Sequence, residues 1–190
     1  MSAGRPLAPV RLLSAANAIV GLVEQRRWRW PIELDERVPR DLAFVHEVGY
    51  WSHFDSRSSS SNWPLPEAAS VEELAQYAGT SGALREAPLE GDIFLWWSPS
   101  KRRFIKTGIV TQVERYAKAE FGLGFWVCRT IEVETRARGR GLPVARLRAN
   151  RDVSPEMGHR FIRWTSLDGR EERQAVIEEA LDEAAWRPAA

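Results

Sequence analysis

Cysteine and histidine are scarce here: one Cys, Cys128, and three His, His46, His53 and His159, in 190 residues. A single cysteine excludes an internal disulfide framework. The histidines have no zinc-ligand spacing among themselves or with Cys128. His46 and His53 are seven apart and could share a helix face, where packed or exposed helix residues are the expected reading and a ligand pair the lesser one. No metal or other cofactor is expected.

Lysine is nearly missing too, with only Lys101, Lys106 and Lys118 on an arginine-rich background. A lysine at any particular site therefore stands out. Net charge is +1, so no global field draws the chain to polyanions, and nucleic acid is not an expected partner. No run approaches the roughly 20 apolar residues of a membrane span. The opening residues do not read as a signal peptide, because Arg5, Arg11 and Asn17 interrupt their apolar stretches. The expected location is the cytoplasm.

What is present suits one globular domain with a real core: 44% apolar and 28% charged residues. Nine tryptophans are unusually many for this length and leave two readings open. They fill core and shell, or they form an aromatic contact surface.

Periodicity places a helix over about Pro9–Trp28, with Leu13, Ala16, Val20 and Val23 on one side. Pro39 opens a second helix reaching His53, apolar around much of its circumference. The serine run Ser56–Ser61 reads as a surface loop. Ser70 and Glu73 make a capping box for a third helix, with Gly79 marking its end. Strands follow over Ile93–Trp97, Phe104–Val113 and Phe125–Val133, the last with Trp126, Cys128, Thr130 and Glu132 on one face. Shorter strands are expected over Leu142–Leu147 and His159–Trp164. A helix over about Asp168–Trp186 closes the chain, apolar on one stripe and acidic outside it. Helices first and strands after argue for an α+β fold: helices packed on an antiparallel sheet of about five strands, plus a C-terminal helix.

Three segments carry a resemblance: Gly91-Asp92-Ile93-Phe94, Gly108-Ile109-Val110 and Thr130-Ile131-Glu132. With Ala43-Phe44-Val45 and Arg160-Phe161-Ile162-Arg163-Trp164, the chain resembles the CHAP family of papain-like cysteine amidohydrolases and peptidases. The resemblance implies a CHAP-like domain over residues 1–165 and an appended helix over 166–190, packing on the domain or on a partner. It also implies a cysteine nucleophile at the start of the buried helix, a histidine base on a strand and a polar or acidic residue orienting that histidine. On this sequence the nucleophile position is Asp41, the histidine position is Lys106, and the third is Glu132. Neighbouring Arg40, Leu42, Ile105 and Thr107 are not Cys or His either. An Asp41–Lys106 pair would keep the two signs of a thiolate–imidazolium pair without its reactivity. Asp also suits an early helical turn, by roughly 0.3–1 kcal/mol.

The remaining candidates are weaker. Cys128, in mid-strand, fits a small buried hydrophobe better than a relocated nucleophile. Ser52-His53 and the serine run lack the nucleophile-elbow pattern. Gly122 and Gly124 mark a turn and not a dinucleotide site. Arg136, Arg138, Arg140, Arg146, Arg148 and Arg151 crowd one stretch. They fit a protected strand edge or an acidic partner. Trp97 and Trp126, with Arg136, Arg138 and Arg140, form a candidate binding surface.

The expected function is that of a catalytically inactive CHAP-like module serving binding or structural interaction. The expected partner is another protein or a protein assembly, or a peptidoglycan-like peptide. Two other readings stay open: a residual amide hydrolase of the peptidoglycan type with an unconventional nucleophile, and an unrelated small α+β binding protein.

Overall fold

The computed structural model describes residues 8–24, 38–55, 60–61, 63–118, 124–134 and 144–168. The expected C-terminal helix beyond Asp168 and the arginines at 136, 138 and 140 lie outside them.

Three helices come first. α1 spans Ala8–Glu24, α2 Arg40–His53 and α3 Val71–Thr80. α2 buries Leu42, Ala43, Phe44, Val45, Val48 and Gly49, the broad apolar surface its sequence predicts. α3 is capped at Ser70, whose hydroxyl accepts the Glu73 N–H at 3.1 Å. Glu73 returns the contact to the Ala69 N–H at 2.8 Å, one residue earlier than the usual box. Its end is not at Gly79. The helix runs to Thr80, and Gly82 takes the left-handed position with φ 67°.

The strands are β1 (Phe54–Asp55), β2 (Ser60–Ser61), β3 (Leu84–Arg85), β4 (Ile93–Ser98), β5 (Arg103–Lys118), β6 (Gly124–Glu134), β7 (Val144–Val153) and β8 (Arg160–Ile162). β1 and β2 pair with each other. The others form one antiparallel sheet in the order β3-β8-β4-β5-β6-β7. The fold is thus α+β, with six strands where about five are expected. The extra one, β3, is two residues long and carries no alternation to read. β5 outruns its expected end because bulges opposite β6 let a twisted strand continue.

The two faces of the sheet are filled differently. Ile93, Leu95, Ile109, Ile131, Val133 and Ile162 pack with the helices. Phe94, Val110, Cys128, Val153 and Phe161 form a second cluster, each 0% exposed. One from each of five neighbouring strands, they need the sheet to curl around them. The β7–β8 connection requires the same. In a flat sheet these strands would stand four spacings apart, about 19 Å. Yet the His159 N–H donates to the Ser154 carbonyl at 3.2 Å across a 3-10 turn over Pro155–Met157. The sheet therefore bends until β7 and β8 nearly meet, leaving a concave side opposite the helices.

The Gly91-Asp92 and Arg163-Trp164 motifs lock the start of β4 to the end of β8. Arg163 Nη2 lies 3.1 Å from Asp92 Oδ2, which also accepts the Leu89 N–H at 2.8 Å. Trp164 is buried and donates its indole N–H to the Gly91 carbonyl at 2.9 Å.

Candidate functional site

β5 and β6 part company at one end of the sheet. Their ladder stops at Ile109 and Ile131, while β6 continues to pair with β7 as far as Glu134. Val110 donates its N–H to Asp92 on the β4 side, so alternation aims the Thr107 N–H at the gap left by β6. The N-terminal turn of α2 fills this gap: Asp41 Oδ2 accepts the Thr107 N–H at 2.8 Å. The Thr107 hydroxyl is satisfied separately, donating to the Phe94 carbonyl at 2.9 Å.

Lys106, next in the strand, sits opposite Trp96 on the concave side. Its ammonium lies 2.5 Å from Glu132 Oε2. Glu132 is fully buried and strongly held. It accepts the Thr130 hydroxyl at 2.7 Å and binds the Arg151 guanidinium through both oxygens. Gly108 makes room for it. A Cβ there would lie 2.5 Å from the Ile131 carbonyl oxygen and from Phe94 Cε1, and 3.1 Å from Glu132 Cγ.

Aromatic contacts fix the other side. Arg151 lies over the Trp96 ring, 4.8 Å from its centroid, and His159 stacks on the same ring at 4.1 Å. His159 is buried and accepts the Ser154 N–H through Nδ1 at 3.1 Å.

The electrostatics follow from burial and pairing. Burial pushes the Glu132 carboxyl up, but the hydrogen bonds from Lys106 and Thr130 and the charge of Arg151 outweigh it and hold the group below its ordinary value. Asp41 goes the other way. Burial raises it, and its backbone hydrogen bonds and the more distant Lys106 charge offset only part of that. The direct partner of Lys106 is thus Glu132 and not Asp41. Burial lowers His159 and His46.

Asp41, Lys106 and Glu132 therefore gather at one end of the curled sheet. Trp96, Arg151, Thr130 and His159 complete the cluster without having been singled out for it in the sequence. Arg151 has a sequence signal only as one arginine of a basic stretch; it pairs with Cys128 beside an irregularity in β6–β7 pairing between Cys128 and Thr130.

The remaining candidates lie elsewhere. Trp97 packs edge-on against Phe104, and Trp126 packs on Tyr116. Cys128 is buried in the concave cluster, and burial, then Glu114 and Asp152, push its thiol up to about 12. His53 packs on Trp63 and Trp164, its Nδ1 2.7 Å from the Ser52 hydroxyl. Among the described residues no group of three or more His, Cys, Asp or Glu is arranged to hold a metal, and no helix is long and apolar enough to cross a membrane. The tryptophans divide between roles: Trp164 is core, whereas Trp51 is 52% exposed.

No family model matches this sequence, and no curated protein or solved structure is detectably similar to it.

Proposed function

We propose that this chain is a catalytically inactive CHAP-like domain with a papain-like fold, working as a binding or structural module for another protein. The observation that carries the reading is the Lys106–Glu132 ion pair beside Asp41. The residues standing where that family has its nucleophile, base and orienting acid are neighbours in space. Their chemistry is closed, however. An ammonium in an ion pair cannot take a proton from a nucleophile, and a carboxylate engaged by a backbone N–H is a poor substitute for a thiolate. Cys128 cannot replace it, being buried and protonated at any ordinary pH.

The test puts the family's groups back. In the Asp41→Cys, Lys106→His double variant, the rate of iodoacetamide alkylation is followed against pH. A thiol at position 41 that faces an imidazole at 106 reacts well below the ordinary thiol range of about 8.5. An ordinary thiol titration would remove the family reading. In parallel, the unmodified chain is expected to release nothing from peptidoglycan fragments. Turnover that disappears in Cys128→Ala would favour the residual hydrolase instead.

A further inference from the structure

The binding-module reading leaves the contact surface open, and the turn between β4 and β5 offers one. We propose that Lys101, Arg102 and Arg103, with Ile105 beside them, dock a carboxylate-rich segment of a partner protein. This rests on the binding-module reading and goes further by naming the surface and the chemistry it meets.

Three consecutive cations are exposed at this turn. Among the described residues none of their side chains has a hydrogen bond or ion pair. The acid that does reach the turn, Glu72 at the start of α3, spends its carboxylate on the Phe104 N–H at 2.8 Å. Lys106, by contrast, is engaged by Glu132. The three like charges thus stand side by side with no carboxylate in direct contact with them among the described residues.

The turn also holds its shape. The Ser98 hydroxyl lies 3.2 Å from that of Ser100 and accepts the Lys101 N–H at 3.4 Å. Arg102 has φ 51°, the left-handed region that favours glycine, and it is the one non-glycine residue with positive φ among those described. An arginine in a glycine position costs stability, and residues held this way concentrate at contact and functional sites. Just past the turn, the β4–β5 register shifts so that Ile105 has no partner strand position, and it stands 38% exposed. Trp97 and Phe104 meet edge-on beneath the turn. A fixed cluster of free cations around one apolar side chain suits a compact acidic protein surface. An extended polyanion would call for a broad basic face, and the chain's net charge is only +1.

The experiment uses the full chain and a fluorescein-labelled oligoglutamate peptide, followed by anisotropy at two salt concentrations. A single-stranded oligonucleotide and vesicles containing phosphatidylserine are run alongside. The combined Lys101→Ser, Arg102→Gly, Arg103→Ser variant is expected to bind the peptide about tenfold more weakly, with a shallower salt dependence. Arg115→Ser, Lys118→Ser, which removes two exposed cations elsewhere on β5, is expected to bind as the parent does. Arg102→Gly alone is expected to raise Tm while weakening binding. Equal binding by the turn variant, equal loss in the control pair, or oligonucleotide or vesicle binding in place of peptide binding would each overturn the proposal. None of these outcomes bears on thiol reactivity at position 41, so the two readings fail separately.

Discussion

Lys106 Nζ and Glu132 Oε2 stand 2.5 Å apart, the lysine keeping 27% of its side-chain surface and the glutamate none. The buried partner is therefore the one on which the cluster depends. Arg151 supplies a second cation to the same carboxylate, so the two cations are not equally needed.

Removing the carboxylate leaves two cations without their shared anion. Glu132→Ala is expected to cost about 3–5 kcal/mol. Lys106→Met should cost about 1 kcal/mol or less, because Arg151 still compensates Glu132. Urea unfolding at neutral pH measures both, and equal losses would contradict the assigned hierarchy.

Asp41 separates a hydrogen bond from a charge. Asp41→Asn keeps an acceptor for the Thr107 N–H and removes a carboxylate that burial disfavours, so it should be at least as stable as the parent at pH 7. Asp41→Ala orphans that N–H and should cost about 1–3 kcal/mol. A linkage argument adds the pH dependence. The raised folded pKa means that Asp41 contributes stability below its ordinary value of 3.8, lost as pH rises through the folded value. In Asp41→Asn that contribution is absent, so the gain over the parent should shrink as the pH is lowered through the acid range.

The half-buried His46 and the buried His159 set a second pH limb. Both His46 and His159 have folded pKa values below 6.5, so the unfolded chain binds more protons as the pH drops through that value. Stability should fall between about pH 7 and pH 5. His159→Gln should flatten the decline by removing one of the two groups. A decline as steep as the parent's would show that His159 does not carry it.

Cys128 should be silent toward a disulfide reagent in the native protein and react once in denaturant, because it is enclosed and its thiol is pushed up to about 12. Rapid native labelling would mean that the concave cluster opens readily.

The sequence made the elements legible wherever a period or a cap was present. Leu42, Val45 and Val48 announce the buried side of α2, and Ser70 with Glu73 fixes the start of α3. Asp41, Lys106 and Glu132 could be picked out because short motifs flank them. Arg151, Trp96 and His159 could not, since their meeting depends on the sheet's curl and on the β7–β8 reversal, neither of which has a local signal. The arrangement of charges was also hidden. An aspartate and a lysine suggest a pair, yet a backbone N–H at the open seam takes the aspartate, and a buried glutamate takes the lysine.

The reversal at Ser154–His159 bears on the order in which the protein can be assembled. During synthesis β4, β5 and β6 can pair as they emerge, but β8 must then slip in between β3 and β4, which were made much earlier. Phe161 and Ile162, which complete the two cores, thus arrive among the last described residues. Until they do, β4 has an unpaired edge and Phe94 a missing neighbour, the kind of intermediate that seeks the wrong strand. A nascent chain stalled before residue 160 would have most of its strands but neither core complete.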